Sequence, residues 1–191
     1  MIICGYAGIG KSSIAKLNPT FIDLESSNFY MNNVPYDYSS DQKEAPNWDS
    51  KPDNWYVYYT NIAIDLSNKD YTVFISCHPE VRRQLEYRLD EIGSGNVLVI
   101  IPSADIEKEW HDRLEDRYLL THSPKDLRAL NHVSNLANVV EDVRSGSLPT
   151  VLIRDIKDYD LRKVLLKHAY GLSWDCKRFL EREVDENVKR P

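Results

Sequence analysis

The sequence predicts an α/β protein built on a five-stranded parallel sheet. Five short apolar runs, most of them rich in Val and Ile, show no polar alternation, as strands covered on both faces do. Segments with helical periodicity separate them, which is the pattern of strand–helix–strand units. At 191 residues the chain is long enough for one domain with a substantial core.

The first run, "MIIC" (1–4), leads through a glycine-dense stretch into the helix-compatible "KSSIAKL". "TFIDL" (20–24) is the second. "NWYVYYTNIAIDLSN" follows after a gap and places Trp55, Tyr59, Ile62 and Leu66 on one stripe, which favours the core for Trp55 and Tyr59 over the alternative that the aromatics of 28–60 stack on a ligand. The third run is "TVFISC" (72–77), followed by "PEVRRQLEYRLDEIG", a helix expected to open at Pro79 and close before Gly93. After "NVLVIIP" (96–102), "SADIEKEWHDRLEDRYLL" offers Ser103 as a cap, acids in its first turn and the stripe Ile106, Trp110, Leu114. "SPKDLRALNHVSNLANVVEDV" reads as a further helix opened by Ser123 and Pro124. The fifth run, "TVLIR" (150–154), precedes the helical "DYDLRKVLLKHAYGL", and the charged tail "KRFLEREVDENVKRP" reads as a short, solvated, fraying helix.

The least patterned segment, 28–54, is polar and aromatic, with Tyr30, Tyr36, Tyr38 and Trp48 among its residues. A long irregular segment of this kind is either disordered or functional, and its aromatics favour partial order. No internal repeat is present.

The formal charge is −6 and the pI about 5.4. This is not the basic balance that duplex nucleic acid requires, although it leaves room for a local basic groove. Cys4, Cys77 and Cys176 are few, odd in number and without CxxC spacing, so reduced thiols in a cytoplasmic protein are expected. No apolar run approaches membrane-spanning length, and a soluble protein without a membrane partner is expected.

The glycine-dense stretch "GYAGIGKS" fits G-x-x-x-x-G-K-[ST], with Gly5, Gly10, Lys11 and Ser12 at the defining positions and Gly8 inside. An apolar run before it and a helix-compatible segment after it supply the context the motif needs. Glycines let backbone N–H groups turn inward around a phosphate. Gly5, Gly8, Ile9, Gly10, Lys11, Ser12 and Ser13 are therefore the expected triphosphate cradle, aided by the dipole of the helix that begins near Gly10. Lys11 is expected on the terminal phosphates and Ser12 on Mg²⁺. A loop that follows a central first strand implies the sheet order 2-3-1-4-5, with the nucleotide at the carboxyl ends of the strands.

Asp23 and Glu25, two residues apart in an extended segment, point to one side of the second strand's end and can act together. One could order magnesium-bound water while the other accepts a proton from an acceptor hydroxyl. The third strand ends in Ser76, Cys77 and His78, where a magnesium-ordering acid would ordinarily stand, so Asp23 or Glu25 inherits that role. His78 is placed either to contact a substrate phosphate or to cap the helix opened by Pro79. Arg113 and Arg117, four apart on one helix face, could converge on a phosphoryl group, with Glu109 offsetting their mutual repulsion. Arg128 and Arg144 are weaker candidates for the same task.

With these motifs, the chain resembles the P-loop kinases of the nucleoside monophosphate kinase type, small phage-type relatives included. "GYAGIGKSS" carries most of the likeness, and "VLVIIPSADIEKEWHDRLEDR" is similar to the fourth strand and R-x-x-x-R helix that precede the lid in adenylate-kinase-like enzymes. The resemblance implies a P-loop NTPase three-layer sandwich over 1–191, with an acceptor-binding insertion at about 28–60 and a lid-like helical segment at about 118–146. It implies Arg113 near the donor base and Arg117 on a phosphate, with ATP and Mg²⁺ as donor and cofactor. His78 and Arg128, with Asp23 and Glu25, would then face the acceptor. The family's "DG-x-P-R" after the third strand is replaced here by "SCHPEVR".

Three functions follow as expectations. The first is phosphoryl transfer to a small nucleotide acceptor, a (deoxy)nucleoside monophosphate. The second is transfer to a hydroxyl of a nucleoside, metabolite or DNA base, with Asp23 or Glu25 as base. The third is a regulatory NTP-binding ATPase without a small-molecule acceptor.

Overall fold

The structure, a computed structural model, describes residues 1–29, 53–131, 133 and 135–188. Its centre is a sheet of five parallel strands in the order β2-β3-β1-β4-β5. The strands are β1 (Ile2–Gly5), β2 (Phe21–Asp23), β3 (Thr72–Ser76), β4 (Val97–Pro102) and β5 (Thr150–Ile153). Four lie within the apolar runs that predicted them, β1 runs one residue past its run to Gly5, and the order is the expected one. Ile2, Ile3 and Cys4 are all fully buried, so both faces of the central strand are covered, as its unbroken apolar character requires.

Nine α-helices occur among the described residues: α1 (Lys11–Ala15), α2 (Trp55–Ser67), α3 (Pro79–Tyr87), α4 (Leu89–Ile92), α5 (Glu107–Thr121), α6 (Pro124–Asn131), α7 (Leu136–Ser145), α8 (Leu161–His168) and α9 (Trp174–Val188). β1 connects leftward to β2 across β3, whereas β3 and β4 connect rightward. Right-handed crossovers then put α1 on one face of the sheet and α2, α3 and α5 on the other. A crevice opens where these connections part, at the carboxyl end of β1.

Some helices differ from their sequence expectation. The segment 79–93 is two helices, broken at Arg88, whose φ of −105° leaves the helical region and whose guanidinium bonds Glu91 and Asn61. The segment 123–143 is likewise two, interrupted before Asn135, which adopts a left-handed φ of 79° that Asn tolerates better than most residues. The tail is anchored at its start and exposed at Glu181, Arg182 and Asp185, and 189–191 lie outside the described residues. α9 buries Cys176 and Leu180, and Phe179 stands edge-on to Phe21 of β2. The expected aromatics Tyr30, Tyr36, Tyr38 and Trp48, with most of the 28–60 insertion, lie outside the described residues.

Trp55 and Tyr59 are core residues, as their stripe predicts. The Tyr59 hydroxyl donates to the Leu24 carbonyl at 2.6 Å and accepts from the Ser76 N–H at 2.8 Å. It thereby links the carboxyl ends of β2 and β3. Burial raises its pKa well above the ordinary tyrosine value, so the hydroxyl keeps its proton.

α7 is tied to the body at both ends. The Glu107 carboxylate accepts from the backbone N–H groups of Asn135 and Leu136, and Glu86 accepts from that of Ser147. Arg82 of α3 pairs with Asp142 in between.

Candidate functional site

Register decides where the glycine-dense loop sits. Gly5 lies level with Ser76 on one neighbour and Ile100 on the other, so the loop leaves β1 beside Cys77 and His78. Three bonds hold it from behind. The Tyr6 N–H donates to the Ile100 carbonyl (3.0 Å), the Trp110 indole N–H to the Ala7 carbonyl (3.0 Å) and the Tyr159 hydroxyl to the Ile9 carbonyl (2.8 Å). Trp110 is fully buried, so its indole both anchors the loop and fills the core beneath it.

Two of the glycines are demanded by geometry. Gly8 has a φ of 87°, and a Cβ there would lie 2.8 Å from Leu114 Cδ2. A Cβ at Gly5 would lie 2.2 Å from Ile9 Cδ1 and 3.1 Å from Lys11 Cδ. The loop can therefore fold over Ile9 only if position 5 is bare.

A cavity of about 500 Å³ opens at this end of the sheet. Gly5, Gly8, Gly10, Lys11, Ser12 and Ser13 line it, as do Asp23, Glu25, His78, Arg117 and Arg128. The sheet edge thus gathers nearly all the residues that the sequence singled out. Ile9, Arg113 and Arg144 do not line it. Ile9 is buried under the loop, and the Arg113 guanidinium lies 5.4 Å from the Trp110 ring centroid and 5.8 Å from that of Tyr159. Arg113 and Arg117 share a helix but diverge, since Arg117 turns to Asp126 of α6 at 2.6 Å.

Lys11 folds back over the loop, its ammonium donating to the Gly5 carbonyl at 2.7 Å and the Tyr6 carbonyl at 3.1 Å. Burial pushes its pKa below the ordinary lysine value, against the pull of Asp23 and Glu25. The Ser12 hydroxyl donates to the Asp23 carboxylate. A hydroxyl and a carboxylate side by side are the hard oxygen donors that Mg²⁺ prefers, so these two residues fit that ion. Glu25 is ion-paired with Lys125 of α6. α1 has only five residues, so its dipole adds little, and the side chains dominate the local field.

His78 occupies the first cap position of α3 without capping it through its side chain, and its ring stands edge-on to Trp55 with centroids 5.3 Å apart. Beside it, Arg82 is buried and donates to the Cys77 carbonyl at 2.7 Å and the Cys77 sulfur at 3.5 Å, while its other nitrogen pairs with Asp142. Arg82, Arg83, Lys125 and Asp142 all line the cavity, and none was singled out from the sequence. A signal for Arg82 existed: it falls on the helical stripe of Leu85 and Leu89, where a buried arginine needs a partner.

Six cationic side chains (Lys11, Arg82, Arg83, Arg117, Lys125 and Arg128) thus face three carboxylates, Asp23, Glu25 and Asp142. The chain as a whole is acidic, so this local excess of positive charge marks a site for anions. The fold and site define an α/β protein with an anion-suited cavity at the carboxyl edge of a parallel sheet. No protein-family model, curated protein or solved structure matches the chain. No helix among the described residues is long and apolar enough to cross a membrane.

Proposed function

We propose that the chain is an ATP- and Mg²⁺-dependent phosphotransferase of the P-loop kinase kind, which moves a γ-phosphoryl group to a nucleotide acceptor, a (deoxy)nucleoside monophosphate. The observation that carries this reading is the cationic lining of the cavity. Lys11 and Ser12 of the glycine loop, with Asp23 beside them, line it together with Arg82 and Arg83 of α3 and Lys125 and Arg128 of α6. Two phosphate-bearing substrates need several cations, because transfer depends on positioning and charge neutralisation.

In this reading Lys11 exchanges the Gly5 and Tyr6 carbonyls for the terminal phosphates of the donor. Ser12 and Asp23 would hold Mg²⁺, which would supply charge neutralisation at the phosphates. Arg117, already beside the cavity, neutralises the moving phosphoryl group, and Arg128, His78 and Lys125 orient the acceptor. A monophosphate is itself the nucleophile at neutral pH and needs no base. That agrees with Asp23 being engaged by Ser12 and Glu25 by Lys125. Arg113, stacked on Trp110 and Tyr159 behind the loop, stabilises the cradle and the approach to the donor base.

A second reading, a kinase of hydroxyl acceptors, is favoured by one observation: Glu25 and Asp23 both line the cavity. Incubating the chain with γ-labelled ATP, Mg²⁺ and a panel of nucleoside monophosphates, nucleosides and oligonucleotides separates the two. Label is expected on one or more monophosphates. Transfer confined to hydroxyl acceptors supports the second reading, and hydrolysis indifferent to every acceptor supports a regulatory ATPase. Either result overturns the first.

A further inference from the structure

The mechanism above leaves one nucleophile in the cavity unused. Cys77 lines the hollow directly after β3, where its neighbours come from three sides. The buried Arg82 guanidinium of α3, itself held by Asp142 of α7, lies 3.5 Å from its sulfur and grips its own carbonyl. Cys4 of β1, whose thiol donates to the Ser76 carbonyl at 3.6 Å, is the second thiol beside it. Lys11 adds positive charge from the start of α1, and Tyr6 faces the sulfur from the loop. The other two thiols, Cys4 and Cys176, are buried and do not line the cavity.

We propose that Cys77 is a thiolate held inside the anion cavity, and that it is a site of covalent modification by soft electrophiles and peroxides. The Arg82 guanidinium, 3.5 Å from the sulfur, stabilises its negative form, and the lysine increases the effect. The neighbouring Cys77 and burial raise the Cys4 pKa well above the ordinary thiol value, while the neighbouring Cys4 and the Arg82 guanidinium lower Cys77 to about 7 against burial. Tyr6, pushed up to about 12 mainly by burial, stays neutral and does not compete for the cations.

The chemistry balances without a further reagent. With an alkyl iodide, a carbon–sulfur bond forms as the carbon–iodine bond breaks, and iodide leaves with the electron pair. With a peroxide, the sulfur takes the terminal hydroxyl oxygen, the O–O bond breaks and an alkoxide or hydroxide departs, leaving a sulfenic acid. Either product replaces the thiolate between Arg82 and the loop with a neutral, larger group, so modification changes the cavity's charge and narrows it.

Iodoacetamide tests this on the full chain, with the Cys4, Cys77 and Cys176 peptides quantified by mass spectrometry across pH 5–9. At pH 7 Cys77 should react on the order of tenfold faster than a thiol of ordinary pKa, with its rate half-maximal near pH 7. Cys4→Ala and Arg82→Gln should each shift that half-point upward. If Arg82→Gln fails to fold, Cys4→Ala and the wild-type profile still decide. A Cys77 half-point above about pH 8, or equal labelling of all three thiols, overturns the proposal.

Inorganic tripolyphosphate provides a second arm, which rests on the proposed nucleotide site. Where calorimetry shows it bound, labelling should slow several-fold, and an unchanged rate overturns the placement of the thiolate within the anion site. Tripolyphosphate that does not bind counts against the nucleotide reading alone, and the pH profile then judges Cys77.

Discussion

Lys125, in the first turn of α6, reaches across the cavity to pair with Glu25, just beyond the end of β2. Together with Arg117–Asp126 this contact holds α6 down over the hollow. α7, by contrast, is fastened by Glu107, Glu86 and Arg82. The segment expected as a lid is therefore two unequal parts, and α6 is the part held by contacts that a substrate could replace.

Lys125→Met should release α6 at little cost to the fold. Partly exposed pairs of this kind contribute about 0.2–1 kcal/mol, so the melting temperature should fall by no more than roughly 4 °C. Hydrogen exchange across 124–131 should quicken several-fold while 136–145 stays as in the wild type. Equal protection in α6 would show that Glu25 does not hold it.

Asp23→Asn keeps an acceptor for the Ser12 hydroxyl, so the fold should be unaffected. The Mg²⁺ concentration needed for half-maximal turnover should rise by roughly 10–100-fold, the range seen when groups that support a metal are changed. An unchanged Mg²⁺ requirement with turnover lost would instead assign Asp23 as a base and favour a hydroxyl acceptor.

Lys11→Ala should weaken triphosphate binding by roughly 10–100-fold, equivalent to one charge-assisted contact of about 1.5–3 kcal/mol. Calorimetry with ATP and Mg²⁺ measures it. Binding within twofold of the wild type would remove Lys11 from the site.

Tyr59→Phe leaves the Leu24 carbonyl and the Ser76 N–H without the hydroxyl that joins them. The loss should be about 2 kcal/mol, lowering the melting temperature by roughly 4–8 °C.

Gly8→Ala should cost about 1–2 kcal/mol through its positive φ alone, with further loss where the Cβ meets Leu114. Gly95→Ala is the control, since a Cβ there meets nothing within 4 Å, and its melting temperature should stay within about 2 °C of the wild type. Equal effects at the two positions would contradict the loop geometry described here.

The sheet was legible because its signal is local: "TVFISC" and "NVLVIIP" can be little other than covered strands, and the glycine motif fixes which strand is central. The loop side of the cavity was legible for the same reason, since Gly5 to Ser13 are contiguous. The helical part of the lining was not, because Arg82, Lys125 and Asp142 come from three helices and reach the cavity only through the crossovers. Arg113 illustrates the converse. Helical spacing correctly puts it on a face with Arg117, but it carries no information about Trp110 and Tyr159, whose rings draw the guanidinium away. The split of 123–143 was hidden because a single left-handed residue, Asn135, leaves no trace in hydrophobic periodicity.

A chain with a net charge of −6 and six cations gathered in one hollow should act as a sorting field. Long polyanions should be repelled by the net charge more strongly than small anions are. Small free anions should pass the rim more readily, and added salt should slow their capture more than it loosens their hold.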